Sequence, residues 1–151
     1  GAGGLFRHGL EVAFHAAHKF LLQARSEKGM RALGKIVANH RKKKPAEVFA
    51  DYRAGLQAAL RRSSSTKGNV NVLQHAAGFF KKGVSAMEKA YFAETLAKYR
   101  KGRAPLSAPV SVIKAWIVRF GQTYLAGQAY FEPYPDELVS VADSGTGRKL
   151  R

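Results

Sequence analysis

Residues 69–82 carry side chains that hydrogen-bond, titrate and hold positive charge at the spacing of one helical face. If the segment is helical, that face presents Asn71, Gln74, His75, Gly78 and Lys82, with Lys81 at its edge. Amides and imidazoles bond base edges or sugar hydroxyls, a glycine lets another backbone approach closely, and lysines hold phosphates. The pattern favours a face that binds nucleic acid.

The same polar face has a second interpretation. An ordinary solvent-exposed face is filled with Glu, Lys and Arg, and this one is not. A helix can also pack a polar face on a neighbouring helix through buried hydrogen bonds. From the sequence alone both interpretations remain open. The opposite, apolar face is expected to enter the core, and it comprises Val70, Val72, Leu73, Ala76, Ala77, Phe79 and Phe80.

The charge of the chain favours the first interpretation. There are 26 Lys and Arg against 10 Asp and Glu, which gives a formal charge of +16 and a pI near 10.4. Residues 1–131 hold 23 of the basic and 6 of the acidic side chains. Such a body attracts polyanions over a Debye length of about 8 Å in physiological salt. Nucleic acid is the expected partner, and an anionic membrane surface is the second.

A second basic feature is the run Arg41, Lys42, Lys43 and Lys44. A run of this kind can be a solvated loop, but the overall charge favours contacts with phosphates. The same role is expected for Lys81 and Lys82 and for the cluster Lys98, Arg100, Lys101 and Arg103. The aromatic residues Tyr91, Tyr99 and Phe131 are expected in the core rather than as platforms for base stacking.

Two histidines, His15 and His18, lie three residues apart on the first predicted helix, with Glu11 one turn earlier and Lys19 adjacent. They could share a metal ion. The zinc-protease pattern, however, needs histidines at i and i+4, and no third or fourth ligand is evident. Hydrogen bonds to a neighbouring helix and contact with a nucleic-acid backbone, helped by Lys19, are the two better-supported roles.

Catalysis has little support in the sequence. The chain has no cysteine, which excludes disulfides, thiolate catalysis and cysteine-bound zinc or iron–sulfur clusters from it. No two of the ten carboxylates are placed as an acid and base pair. A small hydrolase or metal enzyme built on the histidines is the least supported hypothesis, and no cofactor is expected in this chain.

Apolar periodicity predicts one all-α domain, a single compact bundle of about six helices. No segment alternates with period two, so no sheet is expected. Start signals are Ser26, Pro45 and the Ser85–Glu88 pair, which has capping-box spacing. The last helix has few charges and is expected to be long and largely buried. The predicted helices cover about 6–25, 26–37, 45–62, 69–82, 85–101 and 110–131.

The domain is expected over residues 6–142. Residues 1–5 resemble a linker or cloning remnant, residues 133–135 are expected to be extended, and residues 143–151 form a loose tail. No apolar run approaches the roughly 20 residues that a membrane span needs, and no signal peptide is evident. The expected location is cytoplasmic.

An ordered set of motifs over about residues 6–139 resembles the YbgA-like domain family. The set begins with residues 14–19, Phe-His-Ala-Ala-His-Lys, and continues with 69–75, Asn-Val-Asn-Val-Leu-Gln-His, and 78–82, Gly-Phe-Phe-Lys-Lys. Further matches are Tyr99, Gly102, Pro105, Leu106, Pro109, Tyr124, Leu125, Gln128, Tyr130, Phe131, Pro133, Tyr134, Pro135, Glu137 and Leu138. Any one of these motifs alone would be weak, but the ordered set is specific.

This resemblance implies a function. The family is found alone or fused behind a thiouracil-desulfidase-like domain that holds a cysteine-bound iron–sulfur cluster. The fused proteins are similar to RNA desulfidases that remove sulfur from thiouridine in transfer RNA, and the helical domain is expected to hold the RNA. An iron–sulfur cluster is therefore expected only in a fused or partner domain, and desulfidation by this chain alone is not. By position, the motif residues His15, His18, Lys19, Asn71, Gln74, His75, Lys81 and Lys82 become the candidate site.

The leading hypothesis is a helical RNA-binding domain that presents transfer RNA, or another structured RNA, to an N-terminal desulfidase domain. The alternative, from another functional class, is a protein-interaction module whose polar helix face docks on a catalytic domain.

Overall fold

The computed structural model describes the backbone of residues 2–131 and the side chains of residues 8–131. The described residues form helices and no strand, which confirms the all-α class. None of the described helices is both long enough and apolar enough to cross a bilayer. The segments predicted at 133–135 and 143–151 lie outside the described residues. The seven helices are α1 (Ala2–Arg25), α2 (Glu27–Ala38), α3 (Pro45–Leu60), α4 (Thr66–Gly78), α5 (Ala86–Arg100), α6 (Ser107–Phe120) and α7 (Thr123–Ala126).

Contacts divide the chain into two compact units, Gly1–Gly68 and Asn69–Arg151. The prediction of one helical bundle did not include this division. In the first unit, α1, α2 and α3 pack on one another. Their shared core consists of Leu22, Met30, Leu33, Val37, Tyr52 and Ala59. A Cβ atom on Gly55 would lie 2.8 Å from the Leu33 side chain, so the absence of a side chain there lets α3 approach α2 closely.

The core of the second unit is built around aromatic rings from three segments. The Trp116 ring on α6 lies with its centroid 5.7 Å from that of Phe80 and 5.5 Å from that of Phe92 on α5. Val72 and Leu73 on α4 are fully buried. This packing fixes the rotation of α4 about its own axis, and therefore fixes which of its side chains point outward.

The predicted helix starts at Ser26, Pro45 and Ser85 are confirmed. The Ser26 hydroxyl accepts a hydrogen bond from the Gly29 N–H at 2.9 Å, and Pro45 occupies the first turn of α3. Ser85 and Glu88 form a complete capping box. The first helix begins at Ala2 instead of residue 6.

The helix predicted over 69–82 has different ends. It begins at Thr66, where the Ser65 hydroxyl accepts from the Gly68 N–H at 2.9 Å, and it ends at Gly78. Residues 79–82 are successive turns, so Lys81 and Lys82 lie outside the helix. The assignment of Phe79 to the buried face was wrong. Its side chain is 41% exposed because the helical spacing that would have turned it inward stops one residue earlier.

The long helix predicted over 110–131 is interrupted. Helix α6 ends at Phe120 because Gly121 adopts a left-handed conformation with φ of 61°, which glycine tolerates without strain. The Gln122 side chain then caps the short helix α7. Ile113, Trp116 and Ile117 are buried in the core, but Val118 is 82% exposed. The expectation of one continuous helix over 110–131 was therefore wrong, although Leu125, Gln128 and Phe131 beyond the break are buried.

One buried amide ties three segments of the second unit together. Asn69, at 2% exposure, donates from Nδ2 to the Tyr99 hydroxyl at 3.1 Å. Its Oδ1 atom accepts from the Tyr130 hydroxyl at 2.8 Å. Burial, and to a lesser extent Tyr99, raises the pKa of Tyr130, so its hydroxyl stays protonated and remains a donor. Asn69 therefore joins α4 to the end of α5 and to the residues after α7.

We expect Asn69→Ala to lower the free energy of unfolding by about 2–3 kcal/mol, because it removes two hydrogen bonds and leaves buried partners unsatisfied. The matched control is Asn71→Ala, since this exposed asparagine lies on the other face of the same helix; its effect should stay within about 0.5 kcal/mol. Chemical denaturation of both variants checks this. Equal effects of the two substitutions would contradict the role given to Asn69.

Candidate nucleic-acid interface

The predicted polar face of α4 points to solvent. Asn71, Gln74, His75 and Gly78 are all exposed, while Ala76 on the opposite side is fully buried. A Cβ atom placed on Gly78 would meet nothing within 4 Å, so the backbone there is open to close approach. Within the described residues, this face is therefore solvent-exposed and is not packed on a neighbouring helix through buried hydrogen bonds.

The two amides of this face keep their full hydrogen-bonding capacity. No hydrogen bond joins the side chain of Asn71 or Gln74 to another described residue. The imidazole of His75 lies near the Phe79 ring, with centroids 5.9 Å apart. Each amide offers two donors and one acceptor, which matches the edges of bases and the sugar hydroxyls of RNA.

The turn that follows α4 supplies positive charge. Lys81 and Lys82 are exposed, and neither forms an ion pair with a described residue. Residues 69–131 hold nine Lys and Arg but only two carboxylates. Glu94 pairs with Lys98 at 3.1 Å, and Glu88 with Arg119 at the same distance.

The two carboxylates are thus engaged elsewhere. The Ser85 backbone N–H bonds the Glu88 carboxylate and, with Arg119, holds the pKa of Glu88 below its ordinary value, so the carboxylate stays ionised and bonded. The ammonium groups of the turn after α4 remain available to phosphates.

In the first unit, the basic run is an ordered turn. Asn39 adopts a left-handed conformation, accepts from the Lys43 N–H at 2.9 Å and donates to the Lys43 carbonyl at 3.1 Å. The Lys43 ammonium pairs with Asp51 at 3.1 Å. Arg41, Lys42 and Lys44 are exposed and form no ion pair with a described residue. Three of the four cations in this run thus have no acidic side chain that compensates their charge.

A shallow groove of about 480 Å³ lies beside this turn. Its wall includes the cations Lys35 and Arg41 together with His40, and Ile36 and Val48 form its apolar part. Because cationic side chains predominate over the single paired carboxylate, the groove suits an anion better than a cation.

The histidines on α1 have structural partners. The Nδ1 atom of His15 lies 3.0 Å from the Tyr52 hydroxyl on α3, within hydrogen-bond distance. Burial lowers the pKa of His15, and the nearby charges of Lys19 and His18 lower it further, so the neutral imidazole is favoured. His18 donates from Nδ1 to the Phe14 carbonyl at 2.8 Å. Lys19 is exposed. An RNA-binding role for these three residues stays a prediction.

The same region contains one unsatisfied atom, because Oε1 of Glu11 is buried without a hydrogen-bond partner. Its negative charge adds to burial in raising the pKa of Tyr52 to about 12. In the part of the chain whose side chains are described, no three His, Asp or Glu residues come together as a metal site would require.

The predicted site residues fall into two groups that belong to different units. His15, His18, Lys19 and the run 41–44 lie in the first, while the exposed face of α4, Lys81 and Lys82 lie in the second. Sequence reasoning missed the exposed rings of Phe79 and Phe120. The signal for both was a glycine at the adjacent position, Gly78 or Gly121, which ends the helix beside each ring.

Residues 19–135 match the family described as "Protein of unknown function (DUF1722)". The chain belongs to this family. A relative, "Uncharacterized protein YbgA" of Escherichia coli (strain K12), is 30% identical over 143 residues, which cover 94% of this chain and 83% of the relative. The predicted YbgA-like membership is confirmed. No solved structure matches the chain. The matched region of this DUF1722 domain includes the α4 face and the run 41–44, whereas His15 and His18 precede it.

The perturbed histidine gives a pH prediction for this DUF1722 domain. The pKa of His15 is lower in the folded protein than its ordinary value of 6.5, so the unfolded chain binds more protons as the pH falls below 6.5. Acid therefore favours unfolding, and we expect His15→Gln to reduce the loss of stability between pH 7 and pH 5. Denaturant unfolding at several pH values measures this.

The matched control for His15→Gln is Val37→Ala, which removes buried methyl groups from the core of the same unit but changes no titratable group. It should be less stable than the parent at every pH and show the parent's pH dependence. Parallel pH profiles for the parent and His15→Gln would contradict the assignment.

Proposed function

We propose that this domain binds RNA, with transfer RNA as the expected partner, through the exposed face of α4 and the turn that follows it. The observation that carries the proposal is the exposure of Asn71 and Gln74 without a hydrogen-bond partner among the described residues, on a helix whose following turn holds two uncompensated lysines. Amides together with phosphate-binding cations form a combination that can read an RNA while holding its backbone.

The charge distribution supports a polyanionic partner. Both carboxylates of residues 69–131 are paired with basic side chains, so no free carboxylate within that range opposes an approaching phosphate. The turn at residues 41–44 adds three uncompensated cations in the first unit. Charge alone attracts any nucleic acid, so discrimination between RNAs has to come from the amides and His75.

The choice of transfer RNA rests on the resemblance to the fused proteins that carry a desulfidase-like domain. On this proposal the chain is not itself an enzyme and needs no cofactor. It would hold a thiolated transfer RNA in the cytoplasm while an N-terminal or partner domain with an iron–sulfur cluster removes the sulfur. The chemistry would then lie entirely outside this chain, which has no cysteine.

A second candidate function, docking on a catalytic domain, has one observation in its favour. Three apolar side chains of the second unit are strongly exposed: Met87 at 84%, Val118 at 82% and Tyr91 at 61%. Exposed apolar side chains of this size are candidates for a protein contact. If docking were the main function, this chain would bind RNA weakly and would bind a separated desulfidase domain tightly.

The decisive experiment measures binding of this chain to transfer RNA, with and without thiouridine, and to a DNA duplex of equal charge at two salt concentrations. We expect a preference for transfer RNA that survives the higher salt, since hydrogen bonds to bases and sugars are less screened than phosphate contacts. Gln74→Ala should reduce that preference more than it reduces overall affinity. Equal binding to RNA and DNA that vanishes in salt would overturn the proposal.

The two lysines of the turn have a separate, quantitative signature. Replacing Lys81 and Lys82 by Ala should weaken all RNAs alike and reduce the slope of log K against log salt by about 0.7–0.9 for each lysine–phosphate pair that the substitution removes. Lys28→Ala is the control, because Lys28 is an exposed lysine that belongs to none of the predicted phosphate-binding groups. A salt slope that is unchanged in the double variant, or equally changed by Lys28→Ala, would remove this turn from the interface.

A further inference from the structure

Three exposed aromatic rings lie together in the second unit. The Phe79 and Tyr124 rings are nearly parallel, with planes 12° apart and centroids 5.6 Å apart. Phe79 is 41% and Phe120 is 40% exposed, and both line one open pocket of about 220 Å³. Phe14 and Phe49 in the first unit are exposed as well, but Phe79 and Phe120 line this pocket together and so form a shared aromatic surface.

The pocket is held in shape by glycine and by core packing. A Cβ atom on Gly83 would lie 2.7 Å from the Phe120 ring, so this ring position requires a residue without a side chain. The buried Phe80 ring also packs against the Phe120 ring, with the two centroids 5.7 Å apart. The ring of Phe120 is therefore fixed before any ligand arrives.

A polar group lines the same pocket. The Oε1 atom of Gln122 accepts from the backbone N–H groups of Tyr124 at 2.8 Å and Leu125 at 3.2 Å. These two bonds fix the amide, while its Nε2 group donates to no described residue. The pocket thus combines aromatic surface with an unused donor, which can bond a carbonyl oxygen or a ring nitrogen of a ligand.

Two uncompensated cations are close to the pocket in the chain. Lys81 and Lys82 belong to the turn between Phe80 and Gly83, both of which line the pocket. The Arg119 guanidinium lies over the Phe120 ring, 4.3 Å from its centre, and its charge is compensated by Glu88. A purely apolar protein segment would use the rings but not the donor or the cations. A nucleotide uses all three, because it has a flat aromatic base, acceptor atoms on its edge and a phosphate on either side.

We propose that this pocket holds one unpaired nucleobase of the bound RNA, stacked on the exposed rings of Phe79 and Phe120. Lys81 and Lys82 hold the flanking phosphates, and Gln122 donates to an acceptor on the base edge. The inference rests on the proposed RNA-binding function and extends it, because the RNA must present a single-stranded or extruded nucleotide. A base within a duplex has both faces covered by its neighbours and cannot stack here.

The test compares the affinities of the full chain for three RNA probes of equal length. These are a hairpin with an unpaired loop, the same hairpin with one abasic loop nucleotide, and a blunt duplex. We expect the intact hairpin to bind on the order of tenfold more tightly than the weakest-binding abasic probe, since one stacked base contributes about that factor. Moving the abasic position along the loop locates the bound nucleotide.

Protein variants provide the second arm. Phe120→Leu and Phe79→Leu should each weaken binding of the hairpin by a similar factor and leave duplex binding unchanged. Tyr91→Leu is the matched control, because Tyr91 is an exposed aromatic residue outside the pocket. Gly83→Ala should act like Phe120→Leu, since the added methyl displaces the Phe120 ring. Circular dichroism and thermal unfolding establish that each variant is folded.

Failure of this inference differs from failure of the proposed function. If the hairpin, abasic and duplex probes bind equally, and binding still depends on Lys81 and Lys82, the domain binds RNA but the pocket holds no base. If none of the probes binds, both proposals are overturned. Because the abasic arm uses the unaltered protein, it decides the question even if the pocket variants fail to fold.

Discussion

The arrangement of the second unit depends on the hydrogen bonds of one buried side chain, Asn69. Core packing of Val72 and Leu73 sets which face of α4 is buried. The two directed bonds of Asn69, to Tyr99 and Tyr130, reinforce that orientation, because a rotation of the helix would leave a buried amide unpaired at a cost of about 1–3 kcal/mol. Once α4 is fixed in this way, Asn71 and Gln74 have to face solvent. The buried amide thereby positions the exposed ones.

The scarcity of carboxylates has a comparable effect on the electrostatics. A protein surface with balanced charges gives each lysine an acidic neighbour, and such pairs contribute little to stability while lowering the local potential. In residues 69–131 both carboxylates are held by specific partners, Glu88 by Ser85 and Arg119 and Glu94 by Lys98. The basic residues without an acidic partner therefore produce most of the positive potential of this range. Lys81 and Lys82, in the turn after α4, are among them.

The sequence was sufficient to predict most of the helices and the polar face of α4, because periodicity and capping chemistry are local. Whether that face is exposed or packed on a neighbouring helix stayed open until the structure showed it exposed. The starts at Ser26, Pro45 and Ser85 follow from side chain to backbone bonds within one turn. Helix ends were predicted less well. At Gly78 and Gly121 the apolar periodicity continues past the glycine, which predicts a longer helix, whereas the glycine itself favours a helix end. The sequence does not show which of these two signals prevails, because that depends on tertiary packing. The partners of Asn69 and His15 are also nonlocal, lying 30 to 61 residues away in the chain, so composition and spacing carry no trace of them.

These interrupted helices explain why aromatic residues are exposed beside the cations. Phe79 follows the last residue of α4 and Phe120 is the last residue of α6, so both leave the buried stripe of their helix where its regular geometry stops. Fully burying a phenylalanine stabilises a protein by about 1.5–3 kcal/mol, and each of these rings forgoes part of that free energy. A flat ligand that covers the rings would recover it. Such a contact persists at salt concentrations that weaken the lysine–phosphate contacts, so stacking and charge would contribute to affinity in ways that ionic strength can separate.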